Sequence, residues 1–254
     1  MKKILALMLA VLMGLCLLTA CGPAEDDSDK LVMATNANFP PYEYMEGEDY
    51  AGIDIELAQK IAEKLGKELV IENIEFGAIV AGVETGKYDV GIAGLTVTDE
   101  RKLQVNFTDS YATGVQVVIV KEGGSVNSLD DLSGEDIMIG VQQDTTGHIY
   151  ASDTVENGGY GEDHVTAYLN GADAVAALVA GKVNAVIIDN EPAKSFVAAN
   201  EGLKILDTEW LTEDYAIAVN KGDAQLLADI NKALAELKAD GTIADIVGKY
   251  IKAE

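Results

Sequence analysis

Apolar and polar residues alternate in two patterns from residue 30 onward. Short apolar runs predict strands, and longer segments with apolar residues three or four apart predict amphipathic helices. In the first such helix, Asp54 is a candidate N-cap and Gly66 marks the end. Predicted strands cover 31–35, 69–74, 90–93, 137–141 and 185–188, and further predicted helices cover 78–85, 172–180 and 224–239. Strands alternating with helices indicate an α/β fold with parallel sheets.

One stretch of the sequence resembles another. Residues 81–94 and 176–189 each contain a helix end, a Gly-Lys turn, an Asp or Asn, and an apolar strand. Two similar α/β lobes would give this internal similarity. The alternative is that Gly-Lys is a common helix stop before any strand. Ligands of open α/β sheets bind beyond the carboxyl ends of strands. Gly94 and Asp189 follow or end two of these strands, so we expect a site near them.

The N-terminal segment differs from the rest of the chain. Two lysines precede an apolar run at 4–18, which has about the length of a signal-peptide core and falls short of the roughly 20 residues of a membrane span. The string LTAC that ends at Cys21 resembles a bacterial lipobox. We predict a signal peptide at 1–20, lipidation of Cys21 and a polar tether at 21–29. The alternative is an N-terminal anchor helix with an incidental cysteine.

The chain is strongly acidic. It has 18 Lys and Arg against 43 Asp and Glu, a formal net charge of −25, and loss of the signal peptide would remove two of the lysines. Such a surface repels nucleic acid and anionic membrane, so we expect no nucleic-acid partner. Net charge describes the surface and does not predict the charge of a ligand. With Cys16 removed and Cys21 lipidated, the mature domain would have no disulfide.

A polar segment after the strand at 90–93 is the strongest candidate site. Gly94 permits close backbone approach, and Thr98 is placed to cap a helix with Arg101 in its first turn. The helix dipole favours acids in a first turn, so an arginine there suggests a binding role. Backbone N–H groups and a guanidinium together suit a carboxylate. The alternative is that Arg101 pairs with a neighbouring acid on a solvated face.

Three further segments could complete this site. Gln142 and Thr146 lie in a polar turn after a strand, although a threonine at a helix start is usually only a cap. Asp189 ends an apolar strand and needs a partner, which could be a ligand ammonium, a lysine or a backbone amide. Phe39 and Tyr42 follow the first strand, where either could form an apolar wall or simply fill the core, the latter being favoured for Tyr42.

Motifs of the main enzyme classes are absent from the sequence. Its two histidines, His148 and His164, lack metal-ligand spacing, and there is no Gly-x-Ser-x-Gly elbow, phosphate loop or dinucleotide fingerprint. The acidic residues are scattered and define no catalytic pair. We therefore predict no metal, no cofactor and no enzymatic activity.

Four segments carry a family resemblance. The strings LVMATNANFPPYEY, AGIDIELAQKIAEKLG, GKYDVGIAGLTVTDERKLQVNFTDSYATG and LKADGTIADIVGKYI resemble successive signatures of the family 3 extracellular solute-binding proteins. These are the polar amino-acid receptors of ABC importers. The resemblance spans 30–251. It implies a membrane permease as partner, a lipid-anchored position on the extracytoplasmic face, and a monomer.

The resemblance also implies a two-lobed, periplasmic-binding-protein-like α/β fold. Each lobe would be a sheet flanked by helices, and two hinge segments near 111–117 and 214–219 would join the lobes and let them close on the ligand. Lobe 1 would then comprise 30–114 and 216–254, and lobe 2 would comprise 115–215.

Roles for five residues follow from the resemblance. Arg101 would grip the α-carboxylate of an amino acid, helped by the backbone N–H of Thr96 and by the backbone at Thr146. The α-ammonium would meet the Thr96 hydroxyl, the Gly94 carbonyl and the Asp189 carboxylate.

The same resemblance assigns the side-chain end of the ligand. Phe39 and Phe76 would line the pocket there. Asn36 stands where relatives that take basic or amide-bearing ligands commonly have Asp, and Gln142 stands where relatives vary with specificity. A neutral pair at these positions predicts a neutral or polar amino acid.

Two other functions have been described on this fold. Cyclohexadienyl dehydratases, which act on prephenate or arogenate, need an acid in the cleft that faces a bare apolar ring pocket. A sensor or adhesin could use the same binding domain. The nature of the pocket distinguishes the dehydratase from a binding protein.

Overall fold

Strands and helices alternate along the chain, as the pattern predicted. A computed structural model describes residues 29–207 and 210–252. Its strands are β1 (Lys30–Thr35), β2 (Asn38–Phe39), β3 (Glu43–Glu46), β4 (Asp49–Ala51), β5 (Glu68–Asn73), β6 (Val90–Gly91), β7 (Val105–Phe107), β8 (Ala112–Lys121), β9 (Ile139–Gln142), β10 (Val165–Tyr168), β11 (Ala185–Asp189), β12 (Leu203–Ile205), β13 (Leu211–Tyr215) and β14 (Ala218–Asn220). Its α-helices are α1 (Ile53–Leu65), α2 (Ile79–Glu84), α3 (Asp99–Gln104), α4 (Thr146–Ser152), α5 (Gly171–Val179), α6 (Asn190–Ala199), α7 (Ala224–Ala239) and α8 (Thr242–Tyr250).

The first sheet has the strand order β5-β1-β6-β14-β7. Strands β1 and β6 are parallel, while β14 runs antiparallel to both of its neighbours. Apolar residues of β1, α1 and α7, such as Met33, Ile61 and Ile230, pack into one buried cluster. The amphipathic stripes read from the sequence are therefore the faces that the helices turn to this sheet.

The second sheet has the order β10-β9-β11-β8-β12, with β13 also paired to β8. Strands β9, β10 and β11 are parallel, and β8 is antiparallel to β11. Both faces are buried: Val186 and Ile188 pack with α5 on one side, and Ile187 and Val118 belong to a cluster on the other. Burial on both faces explains the nearly continuous apolar run of β11.

Two connections link the sheets. The chain leaves the first sheet along β8 and returns to it along β13, and these strands pair with each other, with Glu213 opposite Gly114 and Tyr215 opposite Ala112. The predicted α/β class is confirmed. The lobe limits at 114/115 and 215/216 stay a prediction. All strands of the first sheet come from residues 30–107 and 218–220, which is consistent with those limits.

The predicted cap at Asp54 is wrong. Gly52 is the N-cap of α1, and the first helical N–H groups donate to loop carbonyls, Ile53 to Pro41 and Asp54 to Tyr42. With these donors satisfied by the preceding loop, the Asp54 side chain is free to point into the interior. Gly66 does end the helix in the left-handed conformation, as predicted.

Two further observations concern the described parts of the chain, 29–207 and 210–252. None of their helices has the length and apolar character that crossing a membrane requires. They also contain no cluster of three or more His, Cys, Asp or Glu side chains suited to a metal ion. The predicted signal peptide, Cys21 and most of the tether lie outside the described residues.

Candidate ligand-binding cleft

A cavity with about 450 Å³ of empty space lies between the two sheets. It opens at the carboxyl ends of β6 and β11, where the sequence placed the site. All nine predicted ligand residues line it: Asn36, Phe39, Phe76, Gly94, Thr96, Arg101, Gln142, Thr146 and Asp189. Tyr42, in contrast, is 2% exposed and packs within the core, as favoured from the sequence.

Arg101 is buried at one end of the cavity. Thr98 caps α3 by accepting from the Arg101 N–H at 3.1 Å, as predicted. The guanidinium donates to the carbonyl oxygens of Thr96 at 2.8 Å and Asp144 at 3.1 Å, and it lies 5.3 Å from the centre of the Phe76 ring. Burial lowers the pKa of Arg101, and the negative charge of Glu213 opposes that shift.

The solvated alternative for Arg101 is wrong. On the outer side of α3, Lys102 pairs with Asp99 at 3.1 Å, and both side chains are more than half exposed. Arg101 instead turns inward, and its two guanidinium contacts leave further N–H groups that a carboxylate could bind.

Gly94 is held by a buried acidic network that the sequence did not reveal. Its φ is +51°, and a Cβ there would lie 2.9 Å from the Phe39 ring, so no larger residue fits. The Gly94 N–H donates to Asp54 Oδ2 at 2.7 Å, and the Tyr111 hydroxyl donates to the same oxygen at 2.9 Å. Burial raises the pKa of Glu43 well above its usual range, and the negative charge of the neighbouring Asp54 adds to this shift.

Asp189, the last residue of β11, lines the same cavity. The hydroxyl of Tyr215 and the amide of Gln116, at 2.9 Å, donate to its carboxylate. Neither was among the partners proposed from the sequence. Burial raises the pKa of Asp189 to about 7, and the nearby charge of Glu213 adds to this. A positive ligand group would lower that pKa and stabilise the ionised form.

Glu213 is a buried acid that sequence reasoning missed. Its Oε2 accepts from Thr146 Oγ1 at 2.9 Å, Gln116 Nε2 at 3.0 Å and Thr96 Oγ1 at 3.2 Å. In the string TEDY an acid looks like a surface residue. The period of two along β13 was a usable signal, because Glu213 shares a face with the buried Tyr215.

The remaining end of the cavity is neutral and aromatic. Asn36 donates through Nδ2 to the carbonyl of Ile74 at 2.7 Å, and its Oδ1 accepts from Gln142 Nε2 at 3.1 Å. This hydrogen bond joins a residue that follows β1 to the last residue of β9, so it crosses from one sheet to the other. Phe39 and Phe76 form the apolar walls beside it.

Comparisons with known proteins identify the family of the chain. The family model described as bacterial extracellular solute-binding proteins, family 3, matches residues 31–253. The chain belongs to this family. It is 30% identical to the arginine-binding extracellular protein ArtP of Bacillus subtilis (strain 168), over all of both chains.

Solved structures described as amino-acid-binding proteins are also similar to the chain. A structure described as an ancestral arginine-binding protein bound to glutamine has a TM-score of 0.81 at 38% identity, covering 89% of this chain and 99% of that one. AncCDT-1, described as an ancestral amino acid-binding protein and a precursor of cyclohexadienyl dehydratase, has a TM-score of 0.81 at 29% identity, covering 89% and 97%. The two-lobed fold expected from the sequence is therefore confirmed for this family member.

Proposed function

We propose that the chain is the extracytoplasmic binding component of an ABC importer, which takes a free α-amino acid into this cavity and passes it to a membrane permease. One observation carries the proposal: the Arg101 guanidinium, from helix α3, and the Asp189 carboxylate, from the end of β11, line the same cavity. An α-amino acid presents one anion and one cation a few bonds apart. The relatives named above as amino-acid-binding proteins support this assignment.

Each charged group of the ligand backbone meets a protein side chain of opposite charge. Arg101 takes the α-carboxylate, and the N–H groups of Thr96 and of the start of α4 at Thr146 assist it. Asp189 takes the α-ammonium with the Gly94 carbonyl and the Thr96 hydroxyl. A bidentate contact between guanidinium and carboxylate fixes orientation as well as energy.

The side-chain end supports a neutral, hydrogen-bonding ligand. Asn36 and Gln142 offer amide groups between two aromatic walls, and an amide side chain of a ligand could replace the hydrogen bond that they now make with each other. A cationic side chain is the competing possibility, since ArtP is named for arginine. We favour the neutral class because both side chains at this end are uncharged.

The proposal takes the protein to be a binding protein and not a dehydratase. The dehydratase alternative needs an available acid facing a bare apolar ring pocket. The cavity wall does include the carboxyl of Glu43, but that group is 1% exposed and lies beside a second buried carboxyl, that of Asp54. Asn36 and Gln142 also make the far end polar.

A thermal-shift screen of the twenty amino acids tests the proposal. A ligand at about 100 times its Kd adds about 2.7 kcal/mol to the free energy of unfolding. We expect the largest shift from a neutral polar amino acid, and smaller shifts from its N-acetyl and carboxamide derivatives, which lack the ammonium or the carboxylate. A largest shift from lysine or arginine would overturn the side-chain class, and no shift from any amino acid would overturn the whole proposal.

We also propose that the protein is a monomer held at the membrane by lipid on Cys21. The support is the lipobox-like string, since this residue lies outside the described part of the chain. We expect Cys21→Ala to move the protein to the soluble fraction or to leave an uncleaved precursor. Cys16→Ala, in the apolar run of the signal peptide, is the matched control and should fractionate normally. Normal membrane retention of Cys21→Ala contradicts the anchor.

A further inference from the structure

Glu213 has an unusual hydrogen-bonding position for an acidic side chain. It is 5% exposed, and one of its oxygens, Oε2, takes all three of its donors. Within residues 29–207 and 210–252, the other oxygen, Oε1, is buried and has no hydrogen-bond partner. Most buried side-chain polar atoms have a hydrogen-bond partner, so the unpaired Oε1 calls for an explanation beyond packing.

The first consequence concerns the Thr96 hydroxyl. A threonine hydroxyl has one hydrogen to donate and two lone pairs that accept. Thr96 lines the cavity, and it donates that single hydrogen to Glu213 at 3.2 Å. Its oxygen therefore has only lone pairs left for a ligand.

The second consequence concerns Gln116. Its amide nitrogen has two hydrogens, and it donates one to Asp189 at 2.9 Å and the other to Glu213 at 3.0 Å. Both hydrogens are used, so the amide nitrogen is held between the two carboxylates. Together with the Gly94 carbonyl, this corner of the cavity presents acceptors to a ligand.

We propose that Glu213 is a positioning residue that makes the cavity select an α-ammonium over an α-hydroxyl, by taking the Thr96 hydrogen and leaving the Thr96 oxygen as a pure acceptor. This inference rests on the proposed function, because it concerns the same amino-acid site. An ammonium has three hydrogens to donate, whereas a hydroxyl has only one. A corner of acceptors therefore leaves some of its groups unpaired when a 2-hydroxy acid binds, which is costly in a buried site.

A purely structural role is the competing explanation. Glu213 also accepts from Thr146, at the start of α4, so it could simply hold the two sides of the cleft together. Such a role would weaken all ligands alike. The ratio of the affinities for an amino acid and for the 2-hydroxy acid with the same side chain separates the two explanations, since both ligands have the same carboxylate for Arg101.

The test is Glu213→Gln, measured by isothermal titration with competition for weak ligands. The probes are the tightest-binding amino acid from the screen above and its 2-hydroxy analogue, 2-hydroxyglutaramate for glutamine or argininic acid for arginine. A neutral amide oxygen holds three competing donors less strongly than a carboxylate does. We expect the preference for the amino acid to fall by about tenfold or more, the effect of losing one charge-assisted hydrogen bond.

Two controls locate the effect. Asp214→Asn removes a neighbouring carboxylate from the exposed face of β13 and should leave the preference unchanged. In a Thr96→Val background, Glu213→Gln should change the preference no further, because the hydroxyl that it orients is gone. Thr96→Val alone should also lower the preference, which gives a reading independent of any change at position 213.

A preference that stays within about threefold of the parent in folded Glu213→Gln overturns the inference while leaving the proposed function intact. An equal loss of preference in the Thr96→Val background overturns it as well, since the effect would not pass through Thr96. If the parent binds no amino acid, this inference and the proposed function fall together.

Discussion

Arg101→Ala should weaken amino-acid binding by about 30-fold to several thousandfold, because loss of one partner of a buried ion pair costs roughly 2–5 kcal/mol. The α-carboxylate would remain buried without its guanidinium, while the cavity around it would be unchanged. Arg101→Lys should recover only part of the loss, since an ammonium lacks the paired donors of the guanidinium. Isothermal titration of the two variants measures both effects.

The matched control is Lys102→Ala. Lys102 is the next residue of α3 and carries the same charge, but it is exposed and pairs with Asp99. We expect Lys102→Ala to bind the amino acid about as tightly as the parent protein. If Arg101→Ala binds within about threefold of the parent, the carboxylate is held elsewhere and the site assignment is wrong.

Amino-acid binding should depend on pH through Asp189. Its pKa of about 7 in the free protein means that below pH 7 its carboxylate must lose a proton before it can pair with the ammonium. Binding then releases a proton, and the affinity rises as the pH rises. The expected gain is about tenfold per pH unit between pH 5 and 7, with a plateau above pH 7. Titration in buffers of different protonation enthalpy counts the released protons.

We expect Asp189→Asn to abolish this pH dependence of binding. The variant should bind more weakly at pH 8 and show a nearly flat profile from pH 5 to 8. Asp54, whose pKa burial raises to about 6, is intact in the variant, so any slope that remains would be assigned to it. An unchanged slope in Asp189→Asn would contradict the assignment of the ammonium to this carboxylate.

The raised pKa of Asp189 also determines whether the free energy of unfolding rises or falls with pH. The unfolded Asp189 ionises near pH 4 and the folded one near pH 7, so the folded state binds the proton more tightly between these values. The ligand-free protein should therefore lose stability as the pH rises from about 4 to 7, and the amino acid should offset that loss.

Helix caps and apolar spacing, which depend on neighbouring residues, could be predicted from the sequence. Thr98 caps α3 because a threonine before an acidic first turn is a strong local preference, and Arg101 followed from that cap. Helix α7 spans residues 224–239 as predicted, since its apolar spacing and its end near Gly241 are local features as well. A site near Gly94 and Asp189 was predicted because ligands of open α/β sheets bind beyond the carboxyl ends of strands.

The supporting residues could not be predicted in this way. Asp54, Glu213 and Gln116 are polar residues whose burial depends on partners far along the chain. Thr96 and Glu213, for example, are 117 residues apart in sequence. The sequence predicted a helix cap at Asp54 and assigned no role to Glu213 or Gln116. Only the packing of both sheets around the cavity shows that they are internal.

The hydrogen bond between Asn36 and Gln142 bears on how the protein could acquire a new specificity. Gly94, Asp189 and Glu213 are each fixed by buried contacts, so substitutions there would disturb the whole corner that we propose for the ligand backbone. The side chains of Asn36 and Gln142 make three hydrogen bonds, one with each other and one each to the backbone carbonyls of Ile74 and Leu169, and none of the three involves the groups around Asp189. Substitutions of this pair should therefore change the side-chain end of the cavity, and with it the choice of ligand, while the hydrogen bonds around Asp189 stay in place.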